Sequence, residues 1–373
     1  MIPTCDLAAQ YHSIQPEIDA AIREVLEAGT FTLGPRVRDL ERELAAFCGC
    51  EYGVGVASGT DALRLAMDAL EIGPGDEVIT TPFTFVSTAS EVTRCGGTPV
   101  FVDIEPVSMN IDPAGVERAV TARTRALLPV HLYGQPADMA PLMAIAERHN
   151  LRVIEDAAQA MGASYRGRPV GSFGVLSCMS FFPTKLLGAY GDAGMIVTRD
   201  RAMADKIDLL RRFGGSTRYR HDRLGYNSRL DELQAAVLRV KLRSLARWNA
   251  RRREIAALYD RLLAGLPIVL PRERRGALHV YQEYTIRTPR RDALQAFLGA
   301  REIETAVYYP LPLHLQELYR DLGLGVGSFP EAERAAAEVL SLPIYPEVSD
   351  DQVEEVAAAV RAFFVARYAR SSE

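Results

Sequence analysis

Between residues 36 and 200 the chain alternates short apolar runs with amphipathic stretches, and this alternation restricts the fold more than any other feature. Val37, Leu40, Leu44 and Phe47 recur at helical spacing. YGVGVA from Tyr52 reads as a strand, TDALRLAMDAL as a helix and GPGDEVITTP as a turn entering a strand. TPVFVDI, RALLPVHLYG, the helix DMAPLMAIAERHN and the strand LRVIEDA continue the series. Repeated strand and helix units of this length predict an α/β fold with a mainly parallel central sheet covered on both faces.

A strand, GMIVTRD, and a helix from about Met203 to Arg212 complete this part. The segment FGGSTRYRHDRLGYNSRLD has no apolar period and reads as a long loop, a place where function tends to sit. A long helix then runs from Ser228 to a Gly-Leu-Pro stop. Beyond it HVYQEYTIRT, a helix from about Arg291 and REIETAVYYP predict the strand, helix and strand of a smaller α+β domain. The expected division is a large domain over 1–240 and a small C-terminal domain over 241–373, with the tail ARSSE disordered.

The net charge of −5 over 373 residues gives no basic footprint for nucleic acid and no polybasic membrane patch. No apolar run approaches the roughly 20 residues that span a bilayer. The N-terminus MIPTCDLAAQYHS lacks a basic region followed by an apolar core, so a cytoplasmic location is expected. Cys5, Cys48, Cys50, Cys95 and Cys178 are odd in number and scattered, which argues against a disulfide framework. Cys48 and Cys50 have no second pair, so no metal site is expected and a buried apolar role suits most of the five.

Four stretches carry chemistry. In VASGTDAL a strand passes through small residues into a helix, so the N–H groups of Gly59 and Thr60 would point at an anion such as a phosphate; a plain Ser/Thr cap explains the same letters. RVIEDAAQAMG ends a strand on Glu155 and Asp156, at the edge where open α/β sheets bind ligands, with Gln159 one helical turn further on. A carboxylate there can hold a proton on a pyridinium nitrogen, and a helix cap at Asp156 is the competing reading.

The third stretch is SFFPTKLLGAYGDAG. Of 43 basic residues only Lys185, Lys206 and Lys241 are lysine. Schiff-base chemistry needs a primary amine that can lose its proton, which a guanidinium cannot supply. Lys206 and Lys241 lie in periodic helices, where a stem on a solvated face suffices. Lys185 follows FFPT and precedes Gly188, Gly191 and Gly194, as suits a tight backbone beside a ligand. In the fourth, PFTFVSTA, Phe85 could stack on a flat heteroaromatic ring or simply join the core.

Taken in order, SGTDAL, PFTFVSTA, PVHLYGQPADM, VIEDAAQAMGASY, SFFPTKLLGAYGDAG, GYNSRLDELQAA and YYPLPLHLQELY resemble the DegT/DnrJ/EryC1/StrS family of pyridoxal-phosphate-dependent sugar aminotransferases, over nearly the whole chain. The resemblance implies an aspartate-aminotransferase-like fold and a transaminase that moves an amino group from L-glutamate, leaving 2-oxoglutarate, to a nucleotide-linked ketohexose. Pyridoxamine 5′-phosphate would be the intermediate form of the cofactor. Lys185 would carry the cofactor, Asp156 would partner its ring nitrogen, Gln159 would contact its phenolic oxygen or ring face, and Phe85 would stack on it. Gly59, Thr60 and Ser180 would hold the phosphate, completed by Asn227 of a second subunit, which implies a homodimer with shared active sites.

Members with EDAAQ and a SFFPTK-like run resemble the group acting at a C3 ketone, with a C4 ketone as the alternative. Some members were first described as regulators, so a non-catalytic cofactor-binding protein is a further alternative. Arg229 would help recognise the sugar nucleotide, unless it forms an ion pair at the helix start, and His314 would lie near the sugar, although a surface-loop histidine reads the same. Where the family commonly reads His-Tyr-Pro this chain has Tyr308, Tyr309 and Pro310, which puts the hexose identity in question. Arg218, Arg220, His221 and Arg223 could meet a diphosphate or be a solvated run.

Overall fold

The computed structural model describes residues 1–217 and 219–368. Seven strands among the described residues form the central sheet: β1 (Tyr52–Val56), β2 (Glu77–Thr80), β3 (Thr98–Phe101), β4 (Thr124–Leu127), β5 (Arg152–Asp156), β6 (Leu176–Ser180) and β7 (Gly194–Thr198), in the order β1-β7-β6-β5-β4-β2-β3. Neighbours from β6 through β5, β4 and β2 to β3 run parallel. β7 alone is antiparallel to both its neighbours, because the turn that carries Lys185 brings the chain straight back beside β6. Helices on both faces bury the middle of the strands: Ile79, Leu127, Ile154, Leu176 and Ile196 are all essentially inaccessible.

Helix starts follow local chemistry. Ser58 caps the helix Gly59–Ala69 by accepting from the Asp61 N–H at 3.1 Å. Asp200 caps Arg201–Leu210 through the N–H groups of Ala202 and Met203, so that helix starts two residues before the expected Met203. The long helix is Glu232–Leu262; Asp231 is held in extended pairing with Thr32, which delays its start past Ser228.

The C-terminal part differs from expectation in one element. β8 (Tyr284–Arg287) pairs antiparallel with β9 (Val339–Leu342), not with REIETAVYYP, which forms only isolated bridges from Ile303 to Ile2 and from Ala306 to Ser341. Glu302 sits at a left-handed φ of 58°, which interrupts the extended run before it can pair. The segment 213–231 also holds a two-stranded hairpin, Gly215–Thr217 with Arg220–His221, inside the expected loop.

One core gathers Ile255, Tyr259, Tyr284, Leu294, Leu340 and Val356, while Val37, Leu44, Met195, Leu238 and Leu245 belong to another. The helix Glu232–Leu262 contributes to both. We propose the division 1–240 and 241–373, with the boundary inside this continuous helix; Leu245, past that boundary, still packs with the second of these cores. The five cysteines are unpaired, and only Cys48 and Cys178 are fully buried, so the apolar role expected for most of them holds for two. No helix among the described residues is long and apolar enough to cross a membrane. Arg218 and the tail ARSSE lie outside the described residues.

Candidate active site

β5 ends on two adjacent carboxylates that face opposite ways, as strand alternation requires. Asp156 is buried and accepts from the Thr88 hydroxyl at 2.8 Å and from the Ala158 N–H at 3.2 Å. Burial pushes its carboxyl up, while Thr88, the Ala158 N–H and the Lys185 ammonium pull it back. Glu155 turns the other way, accepting from His131 Nε2 at 3.0 Å and from the N–H groups of Gly171, Phe173 and Gly174. Because His131 Nδ1 accepts from the Ala137 N–H, the ring proton sits on Nε2 and is donated to Glu155. Glu155 is therefore an internal anchor, and of the two residues expected at the crevice only Asp156 joins the site.

Lys185 lies in the turn after β6. Its N–H donates to the Phe182 carbonyl at 2.8 Å and the Ala189 N–H donates to the Phe181 carbonyl at 2.8 Å, so the turn folds tightly on itself. Gly188 makes this possible, since a Cβ there would lie 2.1 Å from the Pro183 carbonyl oxygen. Among the described residues the amine has no hydrogen-bond or ion-pair partner. Burial draws it below the usual lysine range, against the carboxylates of Glu283 and Asp156. Such an amine is the deprotonatable nucleophile that Schiff-base chemistry needs.

At the start of the Gly59–Ala69 helix, Thr60 Oγ1 lies 2.8 Å from Ser87 Oγ, and Gly59 packs on Ser180 so closely that a Cβ would fall 2.6 Å from the Ser180 Cβ. Helix geometry leaves the first-turn N–H groups of Gly59 and Thr60 without intrahelical partners. Two readings of SGTDAL thus hold together: Ser58 is the cap, and Gly59 and Thr60 remain donors beside three hydroxyls. The Phe85 ring, two residues before Ser87, is 55% exposed and lies 6.3 Å from the Tyr309 ring.

The segment around Pro310 closes over this edge. Gln159 accepts from the Tyr133 N–H at 2.6 Å and donates to the Tyr309 hydroxyl at 3.0 Å. The Tyr133 hydroxyl donates to the Tyr308 carbonyl. The Tyr308 phenol is pushed up to about 12, mainly by burial and then by Glu283. His314 is only 1% exposed, and its Nε2 lies 3.0 Å from Glu333, so its bonding side faces a helix of the C-terminal part and not a ligand space. This differs from the sugar-facing place expected of it, since the imidazole is buried between Glu333 and the Phe329 ring.

Arg229 stacks 5.7 Å from the Phe213 ring and forms no ion pair among the described residues, so the helix-start pair is absent. Asn227 is exposed and bridges Arg212 through its backbone; its side chain has no hydrogen-bond partner among the described residues. Arg220, His221 and Arg223 are exposed on the hairpin, with Arg220 3.7 Å from Asp222. Lys206 pairs with Glu71 at 2.6 Å. Lys241, expected on a solvated face, is 0% exposed, donates to the Gly188 carbonyl at 2.8 Å and lies over the Tyr190 ring. Thr88, Ser87, Tyr133 and Glu283 were not singled out in the sequence; Ser87 and Thr88 stand within PFTFVSTA, where their hydroxyls were the available signal.

These residues fit pyridoxal 5′-phosphate: donors and hydroxyls at a helix N-terminus for a phosphate, an exposed aromatic face, a buried carboxylate and an unpartnered amine. The model of the DegT/DnrJ/EryC1/StrS aminotransferase family matches residues 12–361. A pleiotropic regulatory protein of Geobacillus stearothermophilus is 52% identical, covering 97% of this chain and 98% of its own. A UDP-N-acetyl-3-dehydro-α-D-glucosamine 3-aminotransferase of Acidithiobacillus ferrooxidans is 48% identical over 96% of this chain and 97% of its own. A crystal structure of S. venezuelae DesV in complex with a ketimine intermediate superposes with a TM-score of 0.95 at 48% identity, covering 97% of this chain and 98% of that one. The fold, the motif order and the match over nearly the full length agree: the chain belongs to the DegT/DnrJ/EryC1/StrS aminotransferase family, whose cofactor is pyridoxal 5′-phosphate.

Proposed function

We propose that this protein transfers the amino group of L-glutamate to the C3 ketone of a nucleotide-linked hexose. The observation that carries this reading is the Lys185 amine: half-buried, unpartnered among the described residues and in electrostatic contact with Asp156. The relatives' names support the sugar and its regiochemistry. When bound, the cofactor supplies an electron sink for charge developing at the carbon that loses its proton.

The chain's own residues supply the rest. Gly59, Thr60 and Ser180, with Ser87, would hold the phosphate; Asp156, held ready by Thr88, would keep a proton on the ring nitrogen, and Phe85 would stack on the ring. Lys185 would take the proton from the amino donor's α-carbon as a base and, as an acid, give it to the cofactor carbon two bonds away. Gln159 is oriented by the Tyr133 N–H and the Tyr309 hydroxyl, so its contact to the cofactor is preset. Asn227 has a free, exposed side chain, which suits donation to the phosphate of a second copy in a homodimer. Arg229, without an ion pair among the described residues, suits the diphosphate or an acidic group of the sugar nucleotide through its bidentate fork. Tyr308 and Tyr309 line the sugar side.

Mass spectrometry of products after incubation with glutamate and a panel of UDP- and dTDP-linked ketosugars tests this. An amine at C3 is expected. Conversion of 4-keto sugars alone would move the regiochemistry to C4. The regulator reading draws on the name of the 52% identical relative; absence of turnover with every sugar, despite bound cofactor, would favour it.

A further inference from the structure

Gln282 stands outside all the motifs above, yet its side chain brackets Lys185. Its Oε1 accepts from the Leu186 N–H at 2.9 Å and its Nε2 donates to the Thr184 carbonyl at 3.1 Å. One amide thus satisfies the peptide groups on both sides of the lysine, as a neighbouring strand would. Gln282 is 4% exposed, so both bonds form away from competing water. Its own backbone is held in turn: Arg252 Nη1 donates to the carbonyls of Tyr281, Gln282 and Ile344.

The remainder of the turn is held by the helix Glu232–Leu262. Gln234 brackets Tyr190 in the same manner, accepting from its N–H at 2.8 Å and donating to its carbonyl at 3.1 Å, and Lys241 donates to the Gly188 carbonyl. Gln234 and Lys241 grip the turn three or more residues from Lys185. Gln282 grips it at the lysine itself, from the segment leading into β8, and thereby ties the reactive amine to the C-terminal part of the chain.

We propose that Gln282 is a positioning residue for Lys185, setting where its amine stands during proton transfer; this rests on the aminotransferase reading. The amine hangs on four methylenes, so the path it sweeps is fixed only as well as the Cα that bears it. A displacement of about 1 Å at a proton-transferring group costs on the order of 100-fold in rate. The side chain touches no reacting atom; it acts through the backbone of residues 184 to 186 and, by a 3.4 Å bond from its Nε2 to Glu283, on a carboxylate that faces Lys185.

The test uses the holoenzyme with Gln282→Met, which keeps length and volume but removes donor and acceptor, and Gln282→Glu, which keeps an acceptor for Leu186 alone. In Gln282→Met we expect kcat to fall about 10- to 100-fold with KM for the sugar nucleotide nearly unchanged. The deuterium effect with α-deuterated glutamate should rise, because proton transfer becomes more fully rate-limiting. As a readout apart from turnover, the visible band should develop more slowly when the apoprotein meets the cofactor in stopped flow, and the Leu186 amide should exchange with solvent faster. Gln282→Glu keeps the acceptor for Leu186 but sets a carboxylate oxygen against the Thr184 carbonyl and Glu283, so it should fall at least as far as Gln282→Met. Wild-type kcat, isotope effect and band formation in Gln282→Met would overturn the proposal, as would a loss matched by an equal drop in unfolding midpoint in both variants. Failure of the wild type itself to develop a visible band would sink the aminotransferase reading instead.

Discussion

Thr88 donates its hydroxyl to Asp156 Oδ2 at 2.8 Å, and Thr84 in turn lies 2.9 Å from the Thr88 oxygen, so a short hydroxyl chain holds the buried carboxylate from the side of PFTFVSTA. The bond stabilises the ionised form against the upward push of burial. Thr88→Val keeps the shape and deletes the donor. Cofactor affinity should drop about 5- to 30-fold, equivalent to roughly 1–2 kcal/mol. Its rise with pH should also move to higher pH, as the carboxyl becomes harder to ionise. Titration of the visible band with cofactor at several pH values reads both.

Lys185→Ala and Lys185→Arg should both lose turnover by about 1,000-fold or more, the arginine variant included, because a guanidinium keeps the charge and not the deprotonatable amine. Neither should show the visible band near roughly 410–430 nm that cofactor gives on wild type. Steady-state rates and absorbance spectra check this together.

Glu155 makes four hydrogen bonds in a fully buried place, and these outweigh burial to hold its carboxyl below the usual range. A depressed folded value contributes stability that is present above the ordinary glutamate value of 4.5 and is lost as pH falls below it. Glu155→Gln turns an N–H₂ toward two N–H donors, so it should destabilise by on the order of 3 kcal/mol at neutral pH. The gap to wild type should narrow below that value. Urea unfolding across pH 3 to 7 measures it, taking roughly that window from the acid transition.

Lys241 is drawn down to about 8 by burial, while its amine keeps the Gly188 carbonyl. Between there and the ordinary lysine value of 10.5 the unfolded chain holds a proton that the folded chain has lost, so stability rises with pH across that window. Relative to Lys241→Met, wild type should gain on the order of 2–3 kcal/mol from pH 8 to 10.5, a ceiling set by about 1.36 kcal/mol per unit. Paired denaturant titrations of the two proteins read the difference.

Residue order alone carried the alternating strands and helices, the lysine that has no arginine substitute, the glycines around it and the helix start at SGTDAL, because each depends on neighbours within a few positions: an apolar period, a cap, a residue without a Cβ. Strand alternation also separates Glu155 from Asp156, but which of the two enters the site depended on where β5 lies in the sheet. The Thr88–Asp156 bond spans 68 positions and the Gln282 bonds span 96 and 98, and only packing brings such residues together. The same holds for burial. Lys241 looks like any helix-surface lysine until the turn of Lys185 folds over it, and His314 like a loop histidine until Glu333 closes on its ring. Sequence determined which chemistry the chain can hold; the tertiary structure decided which side chains stand close enough to perform it, since proximity between distant positions is a property of the packed fold alone.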